Sequence, residues 1–326
     1  MIERLEIENF RGLDKLTVDG LARVNVFVGA NNVGKTSLLE AILLLEETQV
    51  TVPLEAILAR RRYVAGGDSQ RMLALLRSQS SSAAVKLTGV RGDAQWHTQF
   101  LEKNGVPQSI VGHGPVEAAQ NWPSIDIAFS HTGARTEARP RAVWFDFNAM
   151  TDEQLSDQIG ALWEAGDAGE IAEWLQQIDP RVIQVAQQKV TGSTCAEAWV
   201  ELKGLPRKLR LTHAGHGLRF ATALFLELRG QCDAVVLVDE IEVGLHHEAL
   251  KAVWQTIDCL SRRNSLQLFV TTHSYDCLKA VQEAMNGSPS ELACFRLQRG
   301  DSGHIVAVRI SSETLGTMVA MDIEVR

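Results

Sequence analysis

The hydrophobic positions of this 326-residue chain change rhythm along its length. Near the N-terminus they fall in short blocks: Ile2, Leu5 and Ile7, then Leu16 and Val18, then Val24-Asn25-Val26-Phe27-Val28. Such spacing predicts strands, because successive side chains of a strand leave opposite faces. The third block enters a glycine-bearing loop. Beyond it, 37–47 (SLLEAILLLEE) predicts a helix that is apolar nearly all round and therefore buried. Residues 53–77 read as helical again. From about 83 to 147, short apolar runs (84–87, 125–129 and 142–147) alternate with Gly, Pro and Ser clusters, which predicts strands and turns. Helices are predicted at about 151–165 and 168–178, with Pro180 closing the second. A strand-like region over 182–202 precedes the clearest pattern of all. Helix 217–229, strand 234–238, helix 248–260 and strand 266–270 follow in turn, with a last strand at 305–310. Strands that are apolar throughout and alternate with helices predict an α/β fold, a mainly parallel sheet covered by helices on both faces.

Composition narrows the class only a little. Hydrophobic residues are 45% and charged residues 22%, ordinary values for a globular chain. The longest apolar runs, 41–45 and 234–238, are far short of the roughly 20 residues that a membrane span needs. The opening Met1-Ile2-Glu3-Arg4 has no basic segment leading into an apolar one, so no secretory signal is expected. Five widely spaced cysteines without a CxxC pair read as reduced, mostly buried thiols of a cytoplasmic protein with no dedicated zinc site. The seven tryptophans read as core. Net charge is −8, which gives no overall attraction to nucleic acid. Yet residues 53–91 carry seven basic side chains, Arg60, Arg61 and Arg62 among them, against two acidic ones. This segment reads either as a solvated helix face or as a polyanion contact.

Three motifs carry chemistry. Gly29-Ala30-Asn31-Asn32-Val33-Gly34-Lys35-Thr36 fits GxxxxGK[ST] and lies between a predicted strand and a predicted helix. Small residues let backbone N–H groups wrap a phosphate, and the helix N-terminus supplies a positive dipole end. Lys35 suits the β- and γ-phosphates and the Thr36 hydroxyl suits Mg²⁺. The candidate nucleotide set is Gly29, Asn31, Asn32, Gly34, Lys35, Thr36 and Ser37. In the second motif, Val235-Val236-Leu237-Val238-Asp239-Glu240, a buried strand delivers two carboxylates where ligands bind in open α/β sheets. Asp239 is the candidate metal residue with Thr36, and Glu240 is the candidate that orients the attacking water. The third, 268–274 (LFVTTHS), ends a further strand at His273, placed to register a γ-phosphate.

The order P-loop, Asp-Glu and strand ending in Thr-Thr-His-Ser resembles the ABC type of P-loop ATPase. Glu240-Ile241-Glu242-Val243-Gly244-Leu245-His246-His247 and the opening Glu8-Asn9-Phe10-Arg11-Gly12 are similar to the RecF and OLD (overcoming lysogenization defect) group, AAA-like ATP-binding proteins. The resemblance covers roughly 1–48 and 205–326. It implies an ATPase head split by a compact α+β insert at 49–204, with N-terminal antiparallel strands, and it adds Arg11 to the nucleotide set. It also implies two heads that dimerise around ATP·Mg²⁺, each P-loop facing a signature loop from the other. The candidate signature is 213–219 (HAGHGLR), with Gly215 and Gly217 as its contacts, although Gly215 stands where the family commonly has Ser. His246-His247 is read as the loop crossing that interface, not as a metal site. No heptads occupy the insert, so a coiled-coil arm is not expected. No nuclease domain is expected after the head either, so a separate effector, a nuclease or toxin, is expected to work with it, in DNA repair or anti-phage defence. The alternative is a nucleotide-gated switch with negligible turnover that recruits a partner. A transporter motor fits poorly, because its usual signature is missing.

Overall fold

The computed structural model describes residues 1–46, 57, 84–103, 106–113, 124–126, 142–145, 147, 150–189, 196–301, 303–311 and 314–317. The helix expected at 53–77 and the Arg60, Arg61, Arg62 cluster lie outside the described residues. The N-terminal blocks form strands β1 (Arg4–Phe10), β2 (Leu13–Asp19) and β3 (Val24–Val28), and helix α1 (Lys35–Glu46) follows the glycine loop. β1 and β2 form a tight antiparallel hairpin.

β3 lies inside a six-stranded sheet. Its neighbours on one side are β13 (Gln267–Thr271), β12 (Val235–Val238) and β8 (Ala142–Phe145), and on the other β14 (Leu292–Arg299) and β15 (Ile305–Ile310). All pairings are parallel except β14 with β15. The continuous apolar runs follow from burial on both faces, and the side chains divide with period two. Val24, Val26, Val236, Val238, Leu268 and Val270 enter one core, while Phe27, Val235, Leu237 and Phe269 enter the other. In the second core Phe27 stacks on Phe295 (centroids 5.2 Å apart) and faces Phe269 at 6.4 Å. Burial of each ring is worth roughly 1.5–3 kcal/mol.

α1 fills that second core against the antiparallel strands, and its two buried glutamates are matched by cations. Glu40 pairs with Arg11 at 2.7 Å and Glu46 with Arg91 at 2.5 Å. The opposite face holds helices α4 (His216–Gly230), α5 (His247–Arg263) and α6 (Tyr275–Met285). The strand β14 and the helix α6 have no counterpart among the sequence expectations.

Residues 49–204, expected as an insert, contribute to both sheets of the head. β4 (Val85–Arg91), β5 (Ala94–Lys103), β6 (Val106–His113) and β7 (Ser124–Asp126) continue the β2–β1 sheet from the free edge of β1, Ile7 lying opposite Leu87. β8 closes the edge of the parallel sheet beside β12. The sequence shows that these segments are strands but not whose edge they take. The remainder is a smaller layer of α2 (Asp152–Ala165), α3 (Ala168–Gln176), β9 (Val182–Lys189), β10 (Ala196–Leu202) and β11 (Leu209–Arg210), packed through Leu155, Ile159, Val185 and Val200 onto the first core. α2 starts at a capping box in which the Thr151 hydroxyl accepts from the Gln154 N–H, and it ends at Gly166 with φ 81°.

Two composition readings are adjusted. Cys277 and Cys294 are buried, and burial pushes both thiols up to about 12, but Cys232 and Cys259 are exposed. Trp96, Trp174 and Trp254 are core residues, whereas Trp163 is exposed. No described helix is long and apolar enough to cross a membrane.

Candidate nucleotide site

Every element of the site hangs from the same end of the parallel sheet. β3 stops at Val28, and the chain must turn sharply to start α1 at Lys35. Gly29 (φ 148°), Asn32 (φ 63°) and Gly34 (φ 90°) make that turn. At Gly29 a side chain would also penetrate the Leu297 carbonyl oxygen of β14, so glycine is required twice over. The loop closes on itself through Lys35, whose ammonium donates to the carbonyls of Gly29 (2.7 Å) and Ala30 (3.1 Å). Burial holds the Lys35 pKa below its usual value, opposed by the negative charges of Glu240, Asp239 and Glu242. A partly desolvated cation held by a loop at a helix N-terminus is what polyphosphate binding requires.

Two strand ends meet this loop. The Thr36 hydroxyl donates to Asp239 at 2.9 Å, and the Thr271 hydroxyl at the end of β13 donates to the other carboxylate oxygen. Thr271 in turn accepts the Glu240 N–H at 2.9 Å. One hydroxyl therefore ties together the ends of β12 and β13, whose in-register pairing sets Val238 beside Val270. Glu240 leaves the strand at φ 50°, and its half-exposed carboxylate turns into the cleft. His273 stands 4.0 Å from it through Nδ1.

Sequence reasoning assigned no role to Thr271 or to Glu242. Glu242 accepts the His273 N–H at 2.9 Å and lies 3.0 Å from its Nδ1, with only 11% of its side chain exposed. The available signal was the Glu-Ile-Glu spacing, which returns a second carboxylate to the same side. Arg299 was missed as well, since the strand carrying it was not predicted.

Asn31, Asn32, Gly34, Lys35, Thr36, Ser37 and Glu240 line one cleft of about 520 Å³, within the usual size of ligand pockets. Gly12, Val33, Arg299 and Ile305 complete it, and Gly29, Asp239 and His273 stand outside its lining. Arg11, expected beside the nucleotide, instead gives its guanidinium to Glu40, a carboxylate that α1 buries and that needs a counter-charge. Gly215 and Gly217 do not line the cleft. Gly215 caps α4 at φ 104° with open space around its Cα, and a Cβ at Gly217 would stand 3.1 Å from the Gly244 carbonyl. The His216 ring lies where a Gly244 side chain would go, so the signature turn is packed against the loop that follows Glu242. His246, His247 and Glu248 are all exposed, with potential ligand atoms within 4.8 Å of one another.

In the basic segment, Lys86 is near Glu8 (3.8 Å), and Arg91 pairs with Glu46 while its guanidinium lies over Trp96 at 4.5 Å.

The sheet order, the P-loop and the carboxylates at the strand ends define the fold of an ABC-type ATPase head. Comparison with known proteins agrees. A family described as AAA ATPase domain matches residues 1–82, and an AAA domain family whose description refers to the AbiEii toxin and type IV toxin–antitoxin systems matches 207–276. An ATP/GTP phosphatase of Helicobacter pylori is 19% identical over 87% of this chain and 88% of its own length. The RecF DNA replication and repair protein of Lactobacillus acidophilus is 50% identical, but over 15% of this chain and 13% of its own. Among solved structures, an SMC head bound to the C-terminal winged-helix domain of ScpA superposes with TM-score 0.60 at 17% identity, covering 99% of both chains. The SMC head of Thermotoga maritima gives 0.52 at 12% identity, over 95% of this chain and 99% of its own.

Proposed function

We propose that the chain binds and hydrolyses ATP, its heads dimerising around the nucleotide. The observation that carries this reading is the hydrogen-bonded set Thr36–Asp239–Thr271, with Glu240 beside it in the same cleft as Lys35. The donor set suits Mg²⁺: a hydroxyl and a carboxylate 2.9 Å apart are hard oxygen ligands of the kind this ion takes. Thr36 and Asp239 would hold it, and when bound it supplies positive charge against the β- and γ-oxygens. Lys35 neutralises the same phosphates from the loop side. Glu240, whose backbone is fixed by Thr271, orients water toward the γ-phosphate, and His273, braced by Glu242, contacts that phosphate from the next strand. The turn at Gly215–Gly217 lies outside the lining of its own cleft and is exposed at Gly215, which suits a contact with a second head, a closed two-fold pairing. The phosphatase relative supports turnover, and the SMC head solved with a ScpA domain supports work with a separate protein. Membership of the OLD group, a cytoplasmic setting, DNA association through the Arg60–Arg62 region, a nuclease or toxin effector and a role in repair or phage defence belong to this same reading. They rest on the motif resemblance, joined by the basic segment 53–91 for DNA and by the cysteine pattern for the cytoplasmic setting.

Phosphate release by wild type and Glu240→Gln tests the chemistry. Turnover should fall about 10²–10⁴-fold in the variant while ATP binding persists and the ATP-bound dimer, read as mass in solution, lasts longer. Equal trace rates in both proteins would favour a second reading, a nucleotide-gated switch. One observation favours that reading: the signature turn has no hydroxyl at position 215, and its backbone at φ 104° is unsuited to any residue with a Cβ.

A further inference from the structure

The motifs account for one end of the cleft and leave the other unexplained. Glu240 follows β12, Arg299 ends β14, and the order β14-β3-β13-β12 puts three strand spacings between them, roughly 14 Å. That span is longer than a triphosphate and suits a triphosphate with its nucleoside attached. The carboxylates, His273 and the Thr36–Asp239 pair mark the Glu240 end as the place of the γ-phosphate, with Lys35 near the middle. The nucleoside must then lie over the end of β14. There the wall is made by three residues of separate elements: Gly12 in the β1–β2 turn, Arg299, and Ile305 at the start of β15. Nothing stands within 4 Å of where a Gly12 Cβ would be, which leaves room for a flat ring. Ile305 is an apolar floor with 3% exposure. Arg299 is exposed, and one of its amino groups is held by the Gly303 carbonyl at 3.1 Å, which steadies the guanidinium plane at the rim.

We infer that Arg299, with Ile305 and Gly12, forms the purine-binding end of the cleft, and that this end accepts ATP and GTP alike. The inference rests on the nucleotide reading above. A guanidinium stacks on aromatic faces and offers hydrogen-bond donors without any acceptor. Stacked on the ring face it holds adenine and guanine through the ring system they share, whereas edge-on its donors would pair with guanine O6 and N7 and favour GTP.

Arginine also binds phosphate, and the test separates the two uses. Binding of ATP, GTP and inorganic tripolyphosphate, each with Mg²⁺, is titrated on full-length protein in the Glu240→Gln background, which suppresses turnover. Arg299→Ala should weaken ATP and GTP about tenfold each and leave tripolyphosphate within about twofold. Arg299→Lys, which keeps the charge and loses the plane, should recover little. Before the Arg299 change, ATP and GTP should bind within about threefold of one another. Loss of tripolyphosphate affinity equal to the nucleotide loss would make Arg299 a phosphate contact and overturn the inference, as would unchanged nucleotide affinity. A tenfold preference for ATP over GTP would overturn the shared-purine claim. Failure of all three probes to bind, with the protein folded, would remove the nucleotide reading and this inference together. Lys35→Met distinguishes the two levels, since it should weaken all three probes.

Discussion

The P-loop and the signature turn are both glycine-rich entries into helices, yet they are built differently. Gly29 and Gly34 sit at positive φ with neighbours pressed against them: the Leu297 carbonyl meets the first and the Leu13 side chain the second. The loop they form is further closed by the Lys35 ammonium. Gly215 also has positive φ, but nothing lies within 4 Å of its would-be Cβ, and no side chain caps the helix behind it. One turn is moulded by its own chain, and the other has open space around its first glycine. Glycine in the first serves packing and function together, and Gly215 in the second serves backbone conformation alone.

Substituting alanine at each site breaks or sharpens this contrast, and Gly29 gives the largest effect. Gly29→Ala combines an unfavourable φ with a clash against backbone that β14 holds in place, and it should destabilise the fold by about 4 kcal/mol. Gly215→Ala meets only the backbone preference and should lose about 2 kcal/mol. Urea unfolding monitored by circular dichroism measures both. Equal losses would mean that the signature turn is packed as tightly as the P-loop.

Lys35 gives the next effect, in which function and stability separate. Lys35→Met should weaken ATP about 100-fold, about 2.7 kcal/mol, because it removes the cation that the P-loop holds in the cleft. Stability should not fall with it. Burial lowers the Lys35 pKa in the folded protein, so the unfolded chain binds that proton more tightly. The Lys35 contribution to stability therefore rises with pH between the lowered folded value and the ordinary 10.5, and below that window the charge is a net burden on the fold. A thermal midpoint for Lys35→Met equal to or above wild type at pH 7 is the expected outcome, and its lead should narrow as pH rises into that window. A clear drop would mean that the ammonium's bonds to Gly29 and Ala30 outweigh its desolvation.

How much of this was legible in the sequence follows the range of the interactions involved. β3, α1, β12 and β13 were readable because doubly buried strands are apolar at every position and the P-loop spacing is local. Asp239 and Glu240 were readable because a strand of four apolar residues can end in two acids only at an exposed sheet end. The pairings of β4 with β1 and β8 with β12 were not readable, since each strand looks the same whichever edge it joins. β14 was hidden for another reason. Its run Leu292-Ala293-Cys294-Phe295-Arg296-Leu297 breaks its apolar pattern with an arginine and follows a Gly-Ser-Pro-Ser turn. Arg299 was lost with it. Arg11 was misplaced because the carboxylate that claims it, Glu40, looks from sequence like one charged position on an otherwise apolar helix.

Glu242 is the residue where local spacing and three-dimensional role come closest, and its substitution should give the smallest effect. It touches His273 twice, at the backbone N–H (2.9 Å) and at Nδ1 (3.0 Å), while Glu240 stands further from that ring, at 4.0 Å. A carboxylate accepting from Nδ1–H leaves Nε2 as the nitrogen that faces the substrate, so Glu242 is a positioning residue that acts through His273. Glu242→Ala should lower kcat about tenfold, about 1.4 kcal/mol, with little change in KM, and His273→Ala should lose no further activity once Glu242 is gone. Glu242→Gln, which keeps an acceptor for both contacts, should recover most of the rate. If the two alanine variants instead multiply in effect, Glu242 acts independently of the histidine. If Glu242→Gln is as impaired as Glu242→Ala, the negative charge matters more than the hydrogen bond. The tautomer of His273, read from its imidazole ¹⁵N shifts in wild type and Glu242→Gln, distinguishes orientation from charge directly.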